Sequence, residues 1–180
     1  MPAHRVLLLP GLGNSGPNHW QTHWERAMPD LVRICQDEWI QPDASDWVER
    51  LDAALRSSGE PVVLAAHSLG CALVARWALT CSGPVAAALL VAPVDVDAPS
   101  RPPGPRGFAP LPLMRLPFRS ILVASDNDQY LTVPRGRQLA GAWGSDYVLL
   151  GSRGHIGDAA DLGMWDEGLA LLAPLRLGID

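Results

Sequence analysis

Short apolar runs that alternate with longer amphipathic stretches are the feature that most constrains how this chain can fold. Most of the runs are continuously apolar, which indicates strands covered on both faces in a parallel sheet. The predicted strands are Val6–Pro10, Leu31–Cys35, Val62–Ala66, Val85–Ala92, Ser120–Ser125 and Asp146–Leu150. The predicted helices are His19–Met28, Ser45–Ser58, Leu69–Thr80, Pro134–Trp143 and Asp161–Leu172. This alternation predicts an α/β architecture, a doubly wound and mostly parallel sheet with helices on both faces.

Length and composition narrow the classes of protein to which the chain can belong. The 180 residues suit one domain, 1–180, and a hydrophobic content of 48% excludes a chain that is disordered throughout. The net charge of −5 gives no reason to expect nucleic acid or an anionic membrane surface as a partner. All 14 basic residues are arginine, which excludes Schiff-base chemistry on lysine and the lysine of a P-loop.

The cysteines and the apolar runs indicate the cellular compartment in which the protein is expected. Cys35, Cys71 and Cys81 are scattered without a CxxC pair, as expected of free thiols in a reducing compartment. The run Val6–Leu9 is too short for the core of a secretory signal, and the longest run, Val85–Ala92, is too short to span a bilayer. We therefore expect a cytoplasmic protein.

One segment, Pro93–Pro117, interrupts the alternation and carries eight of the 17 prolines. It lies between two strands of the predicted sheet, and ligands bind such sheets outside the carboxyl ends of the strands. Long loops in compact domains are often functional. We therefore expect a proline-stiffened loop over that edge of the sheet rather than a flexible linker.

The most informative motif follows the third predicted strand and reads Ala66-His67-Ser68-Leu69-Gly70. It matches the G-x-S-x-G pattern of a hydrolase nucleophile elbow, with Ala66 in place of the first glycine. The turn would place Ser68 at a helix amino terminus, where developing negative charge is favoured, and the Leu69 N–H would be one oxyanion donor. Serine is also a common N-cap, so Ser68 as a plain helix cap is the alternative. The strand before the motif and the apolar helix after it favour the nucleophile.

A nucleophilic serine needs an acid and a base, which α/β-hydrolases supply later in the chain in that order. Asp126 and Asp128 directly follow the strand Ser120–Ser125. We favour Asp128 from the spacing of the acid to the next aliphatic residue, while Asp126, which can close the turn through backbone N–H groups, stays open. His155 lies in a glycine-flanked loop after the last strand and is the expected base, although an ordinary loop histidine is the alternative.

The loop after the first strand supplies the second candidate oxyanion donor. It reads Gly11-Leu12-Gly13-Asn14-Ser15-Gly16, and we expect the N–H of Leu12, or alternatively that of Gly13, to face the nucleophile. The same run is a literal G-x-G-x-x-G, the dinucleotide-binding pattern. Pro17 directly follows it, where a dinucleotide-binding helix would need its backbone N–H groups, so we do not expect a dinucleotide site.

Two tryptophans share one face of the first predicted helix, beside this loop. Trp20 and Trp24 are candidates for the wall of the substrate pocket, and packing in the core is the alternative. His19 and His23 also share a face, but a metalloprotease would need Glu after the first histidine, and Trp20 stands there. We therefore predict no metal site.

Five stretches, taken together and in order, resemble the compact serine hydrolases typified by retinoblastoma-binding protein nine, and bacterial members in particular. The stretches are Pro10–Ser15, Asn18–Gln21 with Trp24, Ala66–Gly70, Asp126–Asp128 and Gly154–His155. The resemblance implies a minimal α/β-hydrolase fold with little or no lid and a triad of Ser68, Asp128 and His155. One departure is Gln129, since the family often has proline after the triad acid.

The expected function is hydrolysis of a small ester, thioester or amide through a serine acyl-enzyme, in the manner of a carboxylesterase and with a preference for short acyl groups. Such chemistry needs no metal or organic cofactor. The expected partner is a small-molecule acyl substrate, with neither nucleic acid nor membrane. The alternative is a catalytically silent protein-interaction module on a hydrolase scaffold, which an exposed apolar patch around Pro93–Pro117 would favour.

Overall fold

A computed structural model describes residues 3–178 and places six strands and five α-helices within them. The strands are β1 Val6–Leu9, β2 Leu31–Arg33, β3 Val62–His67, β4 Val85–Val91, β5 Arg119–Ser125 and β6 Asp146–Leu150. The helices are α1 Trp20–Ala27, α2 Ala44–Ser58, α3 Leu69–Thr80, α4 Val133–Trp143 and α5 Asp166–Leu177. The longest helix, α2, has 15 residues, and none among the described residues combines the length and hydropathy of a membrane span.

The strands form one parallel sheet with the order β2-β1-β3-β4-β5-β6. The predicted doubly wound, mostly parallel sheet is confirmed. The register places Leu9 beside Ala66, and His67 beside Val91, so the carboxyl ends of neighbouring strands meet at one edge. The loops after β1, β3, β4, β5 and β6 therefore leave the sheet together, as the crevice of such a fold requires.

The core lies on both faces of the sheet because successive strand residues point to opposite sides. Leu64 and Ala66 of β3 belong to a cluster with buried residues of α2, α3 and α4. Val63 and Ala65 belong to a second cluster with buried residues of α1 and α5. This division explains why β3 is apolar at every position before its last, and it confirms helices on both faces.

The last helix begins later than the sequence predicts. It was expected at Asp161–Leu172, but α5 spans Asp166–Leu177, whereas the other bounds differ from the prediction by two residues at most. Asp161, Gly163 and Trp165 all have positive φ, between 42° and 56°, which is incompatible with a right-handed helix. The acids of the first turn of α5 favour its start at Asp166 through the helix dipole.

Residues 93–117 lie in no helix or strand and connect β4 to β5. Side chains of two helices bind this loop. Arg76 of α3 donates to the carbonyls of Phe108 and Pro110, at 3.3 and 2.7 Å. Arg135 of α4 pairs with Asp95 and Asp97, at 3.2 and 2.8 Å. These bonds hold the loop in one place over the carboxyl edge of the sheet.

Candidate functional site

Ser68 lies at the turn between β3 and α3 with a strained backbone. Its φ of 55° and ψ of −118° are uncommon for a residue with a side chain, and such strain is typical of functional sites. The Ser68 N–H donates to the Val91 carbonyl at 3.0 Å, which fixes the turn against β4. Within the described part of the chain the Ser68 side chain makes no capping bond to α3, so the interpretation as a helix cap is not supported.

Two glycines allow the end of β1 to approach this turn. A Cβ on Gly70 would lie 2.3 Å from the Leu9 carbonyl oxygen, and one on Gly11 would lie 2.8 Å from Ser68 Cβ. Neither contact is compatible with a side chain, so both positions need glycine. Ala66, which replaces the first glycine of the elbow pattern, is fully buried and lies beside Leu9 in the sheet.

The loops after three strands bring Ser68, His155 and Asp128 together. Nε2 of His155 lies 2.7 Å from the Ser68 hydroxyl oxygen, and its Nδ1 lies 2.8 Å from Oδ2 of Asp128. The Asp128 side chain is 0% exposed, and its Oδ1 also accepts the Tyr130 N–H at 2.8 Å. With Nδ1–H donating to the carboxylate, the Nε2 lone pair faces the serine hydroxyl.

The two candidate acids have different contacts. Asp128 binds the His155 ring, whereas the exposed Asp126 accepts the Ser152 hydroxyl at 2.8 Å. Asn127, between them, accepts the Gly154 N–H at 2.7 Å. The three consecutive side chains therefore join the loop after β5 to the loop that carries His155, and of the two acids the structure brings Asp128 to the His155 ring.

Backbone donors near Ser68 distinguish the candidates for an oxyanion site. The Gly13 N–H donates to the Trp39 carbonyl at 2.8 Å, which directs it away from Ser68. Leu12 and Leu69 both line the small cavity beside Ser68. Leu69 is the first residue of α3, where free N–H groups and the helix dipole favour negative charge. The geometry therefore favours Leu12 over Gly13 as the partner of Leu69.

The start of α1 binds three separate parts of this site. His19 contacts His67, with 3.2 Å between His19 Nε2 and His67 Nδ1. The Trp20 indole donates to the Ile156 carbonyl at 2.9 Å. The Gln21 amide donates to the carbonyls of β1 and β3 at 3.2 and 3.0 Å, and its oxygen accepts the Ser15 hydroxyl at 2.6 Å. Each side chain of the His-Trp-Gln stretch therefore makes at least one structural hydrogen bond.

Trp20 and Trp24 lie in the core, which corrects the expectation that they line the substrate pocket. Both are 0% exposed, and their rings lie 5.2 and 5.9 Å from the ring of Trp165. The Trp24 indole donates to the Met164 carbonyl at 2.6 Å. The shared helix face was predicted correctly, but the chain from Ile156 to Trp165 covers it and leaves no surface for a substrate.

His19 and His67 are buried imidazoles with lowered pKa values. The pKa of His19 is lowered to about 4, chiefly by burial; Asp158 opposes this shift, and Arg33 and His155 add to it. Burial also holds the pKa of His67 well below its ordinary value, with smaller contributions from His19 and His155. Both rings are therefore neutral at neutral pH. The sequence analysis missed His67 because it fills a variable position of the elbow pattern, and no local signal pairs it with His19.

Two cavities meet at Ser68 and differ in chemistry. A cleft of about 600 Å³ has a mixed lining, with polar and charged groups that include Asn14, Gln129, Arg153 and Asp158. A smaller cavity of about 40 Å³ also contacts Ser68 and is mostly apolar. Its walls include Leu12 and Leu69 together with Val94, Val96, Pro102 and Phe108 of the loop between β4 and β5.

The chain is similar to a family of hydrolases and to solved hydrolase structures. A family model described as serine hydrolase matches residues 6–174. A protein described as a YdeN-like hydrolase, from Pectobacterium atrosepticum, is 32% identical, and the match has a TM-score of 0.84 over 96% of this chain and 90% of that one. No curated protein sequence matches the chain.

More distant solved structures share the fold. The ydeN gene product from B. subtilis is 19% identical, with a TM-score of 0.72 over 94% of this chain and 97% of that one. The carboxylesterase CesB from Bacillus subtilis is 15% identical, with a TM-score of 0.66 over 98% of this chain and 85% of that one. Together with the parallel sheet, these similarities confirm the α/β-hydrolase fold.

Proposed function

Because this chain belongs to the serine hydrolase family, we propose that it hydrolyses a small ester, thioester or amide with Ser68 as nucleophile, His155 as base and Asp128 as the acid that orients the base. One observation carries the proposal. The three side chains form a continuous hydrogen-bonded series, 2.7 and 2.8 Å long at its two contacts, at the edge where two cavities meet.

The mechanism follows from the direction of these bonds. Asp128 accepts the Nδ1–H of His155, so Nε2 takes the Ser68 proton as the hydroxyl oxygen attacks the substrate carbonyl. The N–H groups of Leu69 and Leu12 donate to the oxyanion, and His155 then gives its proton to the leaving group. In the second half, His155 removes a proton from water as its oxygen attacks the acyl-enzyme. His155 then returns that proton to the Ser68 oxygen as the acid is released.

The two cavities support a short acyl group and a polar leaving group. The small cavity beside Ser68 measures only about 40 Å³, so it has room for a short group alone. Its apolar walls suit the hydrocarbon part of an acyl chain. The polar and charged groups in the lining of the larger cleft suit an alcohol, thiol or amine product. This arrangement is carboxylesterase-like, and the name of one structural neighbour, a carboxylesterase, agrees with it.

Two narrower statements belong to the same proposal. The likeness to the group typified by retinoblastoma-binding protein nine is supported by the five motif stretches alone. The cytoplasmic location is supported by the scattered cysteines.

A protein-interaction module is the second candidate function. Leu113 and Met114, in the loop between β4 and β5, are 49% and 41% exposed, which favours a contact surface on that loop. The assembled hydrogen-bond series at Ser68 favours the enzyme instead, because an interaction module has no need of it.

Labelling with a fluorophosphonate tests the enzyme directly. The wild-type protein should be labelled at Ser68 and should hydrolyse p-nitrophenyl acetate, and Ser68→Ala should lose both properties. Ser57→Ala, at an exposed serine of α2, is the control and should retain both. Labelling or hydrolysis that persists in Ser68→Ala would contradict the proposal, and an inactive, unlabelled wild-type protein would favour the interaction module.

A further inference from the structure

Two buried histidines connect the start of α1 to the backbone of His155. The Gln21 N–H donates to Nδ1 of His19 at 3.1 Å. Nε2 of His19 lies 3.2 Å from Nδ1 of His67, and Nε2 of His67 lies 2.8 Å from the His155 carbonyl oxygen. Both rings are nearly inaccessible, with 2% of His19 and 6% of His67 exposed. The contacts form one uninterrupted series from a backbone N–H to a backbone carbonyl.

The two ends of the series fix the proton on each ring. A backbone N–H can only donate, so His19 Nδ1 accepts and the neutral ring carries its proton on Nε2. The Nε2–H of His19 donates to Nδ1 of His67. The His67 ring therefore carries its own proton on Nε2, which faces the His155 carbonyl. A carbonyl can only accept, so the last bond has the correct direction. Hydrogen bonds in such a series also polarise one another.

The His155 loop has a strained backbone that needs this support. Ile156 has a φ of 51°, which is a genuine outlier for a β-branched residue. Strain of this kind persists only where the surroundings hold it. The His67 ring holds the His155 carbonyl, and the Trp20 indole holds the next carbonyl, that of Ile156, at 2.9 Å.

We propose that His19 and His67 are positioning residues that hold His155 in place for proton transfer from Ser68. The inference rests on the proposed function, because it takes His155 to be the base. His67 acts on His155 directly through its donated bond. His19 acts through His67, because it keeps the His67 proton on Nε2. Without His19, the His67 proton can move to Nδ1, and a lone pair would then face the His155 carbonyl.

Two substitutions break the series at different bonds. His19→Asn should keep the cap of α1, because asparagine is a favoured N-cap whose oxygen can accept the Gln21 N–H, but its side chain is too short to reach His67. His67→Phe retains a ring of similar volume and removes both of its bonds. Each should lower kcat by roughly 10- to 100-fold, because small displacements of reacting groups have effects of this size. KM for a short ester should stay within about twofold, since neither substitution removes a group proposed to bind the substrate.

His23→Asn is the matched control. It removes an imidazole one turn farther along α1 and should leave kcat unchanged. A KM raised more than about twofold in His19→Asn or His67→Phe would contradict the proposal. So would an equal loss of kcat in His23→Asn, because it would indicate general damage to α1.

A double-mutant cycle separates positioning from independent structural damage. Because His19 acts only through His67, His19→Asn should have no further effect on kcat in the His67→Phe background. Independent effects of the two substitutions, which would multiply in kcat, would overturn the proposal.

Nitrogen-15 NMR of the histidine rings tests the series without catalysis. In the wild-type protein both His19 and His67 should be neutral at pH 7, with the proton on Nε2. In His19→Asn, the His67 ring should lose its single tautomer. A proton on Nδ1 of His67 in the wild-type protein would refute the proposal, even where His67→Phe fails to fold. The NMR measurement does not depend on hydrolysis. A failure of the proposal for His19 and His67 can therefore be distinguished from a failure of the Ser68 assignment, which retained activity of Ser68→Ala would reveal.

Discussion

Gly70, at the start of α3, lies against the carbonyl oxygen of Leu9 at the end of β1, where a Cβ would come within 2.3 Å of it. The contact is with backbone on both sides, so neither partner can rotate away. It sets the distance between the end of β1 and the turn that carries Ser68. Gly70, the second glycine of the elbow pattern, is therefore needed for the close approach of β1 and α3 as well as for the shape of the turn.

Gly70→Ala should destabilise the protein strongly, because overpacking against a backbone atom has no side-chain relief. Such overpacking typically costs about 1–3 kcal/mol and occasionally more. Gly141→Ala in α4 is the control, since its Cβ would meet nothing within 4 Å and alanine is the better helix former by about 1 kcal/mol. Urea unfolding should show a lower midpoint for Gly70→Ala and an equal or higher one for Gly141→Ala. Equal stability of the two variants would show that the approach at Gly70 is not tight.

Asp128→Asn should reduce kcat far more than Asp126→Asn. Asparagine at 128 would favour the wrong tautomer of His155, a change that costs about 10⁴-fold in a serine protease with the same arrangement. Within residues 3–178 the Asp126 side chain accepts only the Ser152 hydroxyl, so Asp126→Asn should cost roughly tenfold or less. Steady-state hydrolysis of a short p-nitrophenyl ester gives both values. A larger loss in Asp126→Asn would transfer the role of the acid to that residue.

Substrates with short acyl chains should be preferred, because the apolar cavity beside Ser68 measures only about 40 Å³. The check is kcat/KM for acetyl, butyryl, octanoyl and palmitoyl esters below their micellar concentrations, with a maximum expected at acetyl or butyryl. Val96→Ala should lengthen the cavity and raise the butyryl-to-acetyl ratio about fourfold per accommodated methylene, from about 0.8 kcal/mol each. Leu113→Ala, at an exposed position of the same loop, should leave the ratio unchanged. A rate that rises up to palmitoyl would refute the short acyl site.

The protein should become less stable as the pH is lowered, because His19 is buried as a neutral ring. Its pKa is lowered from 6.5 to about 4 by burial, so between these values the unfolded chain binds the proton more tightly than the folded one. The free energy of unfolding should therefore decrease as the pH falls from about 6.5 towards 4, by roughly 3 kcal/mol at most. His67 adds a loss in the same direction. The groups facing His19 are Asp158, which opposes the shift, and Arg33, His155 and His67, which do not.

Urea unfolding at pH 7 and pH 4.5 measures this dependence. His19→Asn lacks the titrating ring, so its stability should change less between the two pH values than that of the wild-type protein. Comparison of the two proteins cancels the carboxyl groups that they share. An identical change in both would show that His19 does not titrate as its burial implies.

The sequence predicted the sheet well, because its evidence is local. Strands buried on both faces must be apolar at successive positions, as Val62–Ala66 is, and this pattern is independent of which strands become neighbours. The start of the last helix was predicted wrongly, because it depends on contacts that are distant in the sequence. Asp161 and Trp165 adopt positive φ, and residues other than glycine do so only where distant contacts enforce it.

The sequence by itself determined the kinds of reactive residue and their order along the chain: a serine in an elbow pattern, then an acid, then a histidine. Only the tertiary structure decided which acid meets the histidine, that Trp20 and Trp24 are covered, and that His19 and His67 lie in one series of contacts ending at the His155 carbonyl. These outcomes depend on contacts between residues 27 to 136 positions apart in the chain. Periodicity and motif spacing report a residue's own turn or strand, whereas such distant contacts exist only after the sheet has brought the ends of its strands to one edge.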